Sequence, residues 1–248
     1  MELRVLGCWS PYPRAGGSCS GYLISEGETH ILVDFGSGCF SRLQRYFDFR
    51  RLQAVVISHL HPDHFLDVFT LRYALRASLW NGSRQEKLPL YLPGEPAVEI
   101  ERLVQYREEF DLHIMEECSG LAINIGDLRL QLCKTEHPVT TFAVRIEGAS
   151  TLVYSADTAW DPDIIKLAEG ADLFLCEASV LEKDKEYVSK AGHLTAHQAG
   201  TIAREAGVKR LVITHFFPEY DLKTLRLEAE EGFNGPVELA QEGLRYIF

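Results

Sequence analysis

Between positions 59 and 64 the chain reads His59-Leu-His-Pro-Asp-His64, which puts four ligand-type side chains into six residues. Imidazole nitrogens and carboxylate oxygens are the donors that zinc accepts, and that manganese or iron accept less selectively. The segment follows the apolar run 54–57 and precedes a stretch, from His64 to about Leu79, with apolar residues at helical spacing. Side chains alternate along a strand, so His59 and His61 are expected to share a side, with Asp63 and His64 at the turn into the helix. The competing explanation is a polar turn that carries several histidines by accident. Four such groups at the end of a core strand would be costly without partners, which favours a bound cation.

One turn does not complete a two-metal site, so further ligands are expected from other strand ends. His137 follows the run 128–132 and precedes Pro138, which holds the backbone extended at that point. Asp157 follows Thr151-Leu-Val-Tyr-Ser-Ala, and His215 follows Leu211-Val-Ile-Thr. Singly, each has an ordinary explanation as a surface or hydrogen-bonded side chain; jointly they are three ligand types at three strand ends. Val55-Val-Ile-Ser-His-Leu-His-Pro-Asp-His64 also echoes Leu211-Val-Ile-Thr-His-Phe-Phe-Pro-Glu-Tyr220. Chance similarity of two core strands and a fold of two related halves both account for it.

These groups need elements to hold them. Strand-length apolar runs recur at 3–6, 22–24, 31–33, 54–57, 88–92, 128–132, 142–146, 151–154, 173–176, 211–213 and 244–247, most bounded by turn residues. Helical stretches alternate with them at 64–79 and 96–106. Asp161-Pro162 opens a short helix that stops near Gly170. Thr195-Ala-His-Gln198 fits a capping box and starts a helix to about Ala206. His193 lies just before it, where a helix N-terminus can attract an anion, while His197 one turn inside is read as structural or exposed. Interspersed strands and helices mean an α/β or α+β layered fold. No low-complexity linker interrupts residues 1–248, which favours one domain.

Of 248 residues, 46% are hydrophobic and 25% charged, ordinary for a globular protein rather than a disordered one. The net charge of -11 opposes broad nucleic-acid binding, which needs Lys and Arg against phosphates. Six scattered cysteines with no CxxC pair read as small buried residues. No run approaches the ~20 apolar residues that span a bilayer, so the cytoplasm is the default expectation.

On the HxHxDH motif at 59–64, the later His137, Tyr154-Ser-Ala-Asp-Thr158 and Thr214-His215, in that order, the chain resembles the metallo-β-lactamase superfamily. Within it, the chain is similar to the phosphodiesterase branch that includes RNase Z. The resemblance runs from Leu3 to the C-terminus and implies a four-layer αβ/βα sandwich with the site at one edge of two sheets. It also implies two divalent metal ions, zinc first and manganese as the alternative. By the same resemblance His59, His61 and His137 would hold one metal, and Asp63, His64 and His215 the other. Asp157 would bridge them opposite a bridging water or hydroxide. Cys176-Glu-Ala-Ser179 resembles the branch's His-Glu-Ala-Thr segment, with Cys176 in place of its histidine, and Gly192-His-Leu-Thr195 resembles Gly-His-Ser-Thr. Glu177 would then orient an imidazole, and His193 would contact a phosphate oxygen or protonate a leaving group, beside Asp63 in the catalytic set.

RNase Z enzymes that grip tRNA carry a long arm between the counterparts of His137 and Asp157. Here the interval 138–156 has room for a strand pair and a turn only. The expected substrate is therefore a small phosphodiester, such as a cyclic nucleotide. RNase Z-type cleavage of RNA, or hydrolysis of a carbon ester, lactone or thioester on the same metal core, are the alternatives. A redox protein is disfavoured by His61, where redox relatives have glutamate, and a non-catalytic metal-stabilised binding module comes last. A homodimer is expected by analogy, with the aromatic-rich stretch 65–80 as either cleft lining or interface. The Ala15-Gly-Gly-Ser-Cys-Ser20 loop lies where relatives have a segment lining the site.

Overall fold

Apolar runs sort into two seven-stranded mixed sheets in a computed structural model that describes residues 1–118 and 120–248. The first sheet holds β1 (Glu2–Gly7), β2 (Gly21–Glu26), β3 (Thr29–Phe35), β4 (Ala54–Val56), β5 (Leu88–Leu92) and β6 (Phe110–Ile114). The second holds β7 (Ile123–Ile125), β8 (Leu128–Lys134), β9 (Phe142–Glu147), β10 (Thr151–Tyr154), β11 (Leu173–Glu177), β12 (Leu211–Thr214) and β13 (Val237–Leu239). The final strand, β14 (Arg245–Ile247), crosses back to pair with β1. The spatial orders are β14-β1-β2-β3-β4-β5-β6 and β13-β12-β11-β10-β9-β8-β7.

Strands joined by hairpins are antiparallel; β3 to β6 and β10 to β13 run parallel. All six of those parallel connections pass through helices. In the first half these are α1 (Cys39–Leu43), α2 (Pro62–Phe65), α3 (Val68–Trp80) and α4 (Ala97–Val104). The second half has α5 (Pro162–Ala168), α6 (Lys185–Ala191), α7 (Ala196–Glu205) and α8 (Leu222–Phe233).

The period of two along each strand builds the layers. Leu3, Val5, Ile24, Ile31, Val33 and Val56 share one core with Leu130, Val144, Ile146 and Val153 of the second sheet. Their alternating neighbours Leu6, Leu23, Leu32 and Val55 point the other way, onto Leu43, Phe65, Leu71 and Leu75 of the helices. On the second sheet Ile164, Ala199, Ile202 and Leu225 cover the outer side. The result is helix, sheet, sheet, helix. Every residue of β4, β11 and β12 is buried, as parallel strands with both faces covered require. The carboxyl ends of such strands open onto a crevice where ligands sit.

Three expectations change. The helix expected over 64–79 is two, because Asp67 N–H donates to Phe35 O at 3.0 Å and Asp67 Oδ2 accepts from Phe40 N–H at 2.7 Å. Strands β6, β7 and β13 lack an apolar run because all three are sheet edges, with half of their surface unpaired. The echo between β4 and β12 does not follow the topology. β4 lies directly beside the first parallel partner β3, whereas β12 lies one strand farther from its counterpart β10.

Candidate metal centre

The site is built from turns that leave parallel strands. β4 ends at Val56, two residues before Ser58, so the turn rather than the pleat aligns His59 with His61. That turn is held by Asp34, the last polar residue of β3. Its Oδ1 accepts from Ser58 N–H at 2.7 Å, and its Oδ2 accepts from Ser58 Oγ at 2.9 Å. Pro62 opens α2, whose first turn carries Asp63 and His64. Gly36 allows that turn to press on the end of β3: a Cβ there would lie 1.9 Å from Asp63 O. Asp34, Ala156 and His215 all have φ between 51° and 63°, a sparsely populated region for such residues. Strain of that kind concentrates at functional sites.

Two groups of donors face each other. In the first, His61 Nδ1 lies 3.0 Å from His59 Nε2 and 3.3 Å from His137 Nε2. In the second, His64 Nε2 lies 3.0 Å from His215 Nε2, with Asp63 Oδ2 at 3.6 and 3.7 Å from the two rings. Asp157 stands between them. Its Oδ1 is 3.1 Å from His215 Nε2, and its Oδ2 is 3.5 Å from His59 Nε2 and 3.4 Å from His64 Nε2. His59, His61, His137 and Asp157 form one set that can hold a metal ion, and Asp63, His64 and His215 form another.

The outer partners of these rings fix what faces inward. His64 Nδ1–H donates to Asp34 Oδ2 at 2.7 Å, and His137 Nδ1–H donates to Gly192 O at 2.8 Å. His59 Nδ1–H donates to Ser58 Oγ at 3.0 Å, and His215 Nδ1–H to Ser179 Oγ at 2.7 Å. With the Nδ1 protons spent outward, the four rings turn Nε2 toward one another, and each Nε2 presents a lone pair whenever its ring is neutral. Lone pairs at such distances repel unless a cation sits among them. Asp157 Oδ1 is in addition buried with no hydrogen-bond partner. The donor set fits divalent metal ions on both counts.

Charge favours the same occupant. Burial pushes His59 well below the ordinary imidazole range, and lowers His61 and His137. At His64 and His215 burial also opposes protonation, but Asp157 and its neighbours outweigh it. His64 is held well above its ordinary value and His215 is raised to about 10. Asp63 is lowered to about 2, because His64 and His215 overcome the effect of burial. A proton and a divalent cation are thus alternatives on these nitrogens.

His193 lies beside both sets, its ring 5.2 Å from His137 and 5.3 Å from His215, and with Asp157 and His215 it forms a third group that could hold an ion; its Nδ1 is 3.1 Å from Glu177 Oε1 and 3.9 Å from Asp157 Oδ2. Burial opposes protonation of His193, yet Glu177 raises its pKa. Glu177 is itself buried, accepting from Thr158 N–H at 2.7 Å and from Ser179 Oγ. Thr195 has a different job. Its Oγ1 accepts from Gln198 N–H and donates to Glu182 Oε2, and the N–H groups of Thr195 and Ala196 are also paired. The anion at that helix start is the chain's own Glu182 carboxylate. Cys176, in place of a histidine, is fully buried, and burial holds its thiol well above its ordinary pKa.

Ser10, Asp34 and Ser58 were not expected at the site, and Tyr154 and Ser179, though within the motif segments, had no role assigned. Ser10 Oγ donates to Asp63 Oδ2 at 2.8 Å, and Tyr154 OH to Asp34 Oδ2 at 2.7 Å. Asp34 carries the signal that marked Asp157, an acid ending an apolar strand; the hydroxyls carry none. The 15–20 loop bonds to the ends of β1 and β3, through Ser18 O with Cys8 N–H at 3.2 Å and Ser20 O with Gly36 N–H at 2.8 Å.

Residues 29–216 match a family described as beta-lactamase superfamily domain. The probable metallo-hydrolase YhfI of Bacillus subtilis is 35% identical over 245 residues, covering 98% of each chain. Its crystal structure aligns with a TM-score of 0.93 at 32% identity, covering 99% of this chain and 98% of that one. A ribonuclease Z of Parabacteroides distasonis is 28% identical over 303 aligned positions, covering 99% of this chain and 98% of the relative. The crystal structure of the short form of human tRNase Z has a TM-score of 0.79 at 22% identity, covering 100% of this chain and 99% of that one, a likeness of fold.

Proposed function

The chain belongs to the beta-lactamase superfamily as a metallo-hydrolase, and we propose that it cleaves a small phosphodiester, such as a cyclic nucleotide, at a centre of two divalent metal ions. One observation carries the reading: a single carboxylate, Asp157, lies against histidines of both sets, His59 of the first and His64 and His215 of the second. In this reading His59, His61 and His137 hold one ion, Asp63, His64 and His215 the other, and Asp157 both. Zinc suits imidazole and carboxylate donors best, with manganese as the alternative. Bound there, the ions polarise a substrate oxygen and make water a nucleophile near neutral pH.

The chain's own groups do the rest. Asp34 and Ser10 orient His64 and Asp63. Glu177 accepts from His193 Nδ1 and favours the protonated imidazole, so His193 can give a proton to the departing alcohol oxygen. The interval between His137 and Asp157 is the hairpin β9–β10, and the alignment with the Parabacteroides ribonuclease Z is longer than this chain, so that relative carries segments this one lacks. With a net charge of -11, both favour a small substrate over tRNA.

The test is metal content of the purified protein, paired with hydrolysis of bis(p-nitrophenyl) phosphate and of 2′,3′- and 3′,5′-cyclic nucleotides. Close to two metals per chain with phosphodiester turnover is the expected result. Full metal occupancy with cleavage of lactones or thioesters alone would move the reaction to a carbonyl centre. One metal or none would overturn the ligand assignment.

A further inference from the structure

Beside His193 a cavity of about 380 Å³ opens next to the ligand cluster. Pro11, Val180, Ala191, Phe217 and Tyr220 line it together with Ser10, Ser179 and His193. Its polar atoms are already committed. Ser10 Oγ donates to Asp63, Ser179 Oγ donates to Glu177 and accepts from His215, and Tyr220 OH donates to Asp184 Oδ2 at 2.7 Å. Among the described residues its lining includes no Lys, Arg, Asp or Glu. What remains toward the space is aliphatic and aromatic surface, with His193 at the inner end.

The aromatic wall is braced. Phe217 meets Tyr220 edge-on at 5.2 Å and Tyr12 at 6.2 Å. Arg14, lying over the Trp9 ring, donates to Pro218 O at 2.6 and 2.9 Å and to Tyr220 O at 3.0 Å. A braced apolar cavity with an aromatic wall favours a flat, uncharged aromatic group and, apart from His193 at its end, offers little to a phosphate or a polar chain. A second cavity, at His137, has Glu95, Lys134 and Thr140 among apolar residues, and those three suit the polar end of a substrate.

We infer that the cavity formed by Pro11, Val180, Phe217 and Tyr220 seats a planar aromatic group on the leaving-alcohol side of the phosphodiester, the base of a nucleoside or an aryl ring. The inference rests on the phosphodiesterase reading. It makes Phe217 a determinant of substrate choice, placed so that the alcohol it holds departs toward His193.

The experiment uses the zinc-loaded full chain with Phe217→Ala, Phe217→Tyr and the cavity-filling Val180→Phe. KM and kcat are measured for 3′,5′-cyclic AMP and bis(p-nitrophenyl) phosphate, with adenosine binding followed by calorimetry. Base stacking on an aromatic side chain predicts that Phe217→Ala raises KM about tenfold or more and weakens adenosine to a similar degree, with kcat changed less. Phe217→Tyr should restore both, and Val180→Phe should reproduce the loss while keeping the wall. A KM rise for cyclic AMP assigns the slot to nucleosides; a rise for the nitrophenyl ester alone assigns it to simple aryl alcohols. Turnover with KM values indifferent to both Phe217→Ala and Val180→Phe overturns the slot and leaves the phosphodiesterase reading standing. No phosphodiester turnover by the zinc-loaded wild type overturns that reading and the inference with it.

Discussion

Asp34 Oδ2 accepts a hydrogen bond from His64 Nδ1 at 2.7 Å, and both side chains are fully buried. The carboxylate also gathers Ser58 and Tyr154, so one residue at the end of β3 orients a ligand, a turn and a ring from the other sheet. Asp34→Asn isolates this role, because asparagine tolerates the φ of 56° that Asp34 adopts. Loss of such an outer partner is expected to weaken metal binding by about 10–100-fold. Competition with a chromogenic chelator measures it; wild-type affinity in the variant would remove Asp34 from the centre.

His61→Ala and His193→Ala should separate holding metal from moving protons. The first removes an atom within 3.3 Å of two other ring nitrogens, and metal content and turnover should fall together. The second should keep the metal and lose roughly 10²–10⁴ in kcat. A metal-free His193→Ala protein would undo the division of roles.

The pH profile should report the Glu177–His193 pair. Burial works against the His193 proton, and Glu177 more than compensates, so the imidazole keeps that proton above its ordinary pKa. A general acid loses activity as pH rises through its pKa. Glu177→Gln withdraws the stabilising charge, and the alkaline limb of kcat against pH should move to lower pH. An unmoved limb would assign that ionisation to another group.

Gly36→Ala tests how tightly the metal-binding turn is packed. The added Cβ would meet the backbone carbonyl of Asp63 rather than a side chain that can swing away. Overpacking of this kind costs about 1–3 kcal/mol, and thermal denaturation should register it as a lower midpoint along with weaker metal affinity. An unchanged midpoint would mean that the turn relaxes freely.

Thiol chemistry gives a test away from metal binding. Burial raises Cys19 and Cys133 to about 11 and holds Cys39 and Cys176 well above their ordinary value. The reactive thiolate is scarce at pH 8, so these four should label slowly with Ellman's reagent, Cys133 faster toward pH 11, and all on denaturation. Rapid labelling of Cys176 in the native protein would contradict its place in the core.

Much of the architecture was legible. The apolar runs within β3, β4, β10, β11 and β12 belong to central strands, whose middles are buried. Thr195 with Gln198, and Asp161 with Pro162, mark helix starts through bonds made within one turn. The edge strands β6, β7 and β13 stayed hidden because a strand with a free side needs no apolar run. The break at Asp67 stayed hidden because its cause, Phe35 O, lies on β3.

Residue type and short-range spacing by themselves determined that this chain carries a histidine- and aspartate-rich turn after a core strand, more such residues at other strand ends, and the α/β elements to hold them. Those features follow from donor chemistry, side-chain period and capping, all of which act within a few residues. Tertiary structure alone decided that His64 stands 3.0 Å from His215, that Asp157 lies between both sets, that Asp34 aims a ring, and that Pro11 and Phe217 close a slot beside His193. Which strand ends become neighbours depends on the order of two sheets and on how their buried faces pack, and neither is written in any local pattern.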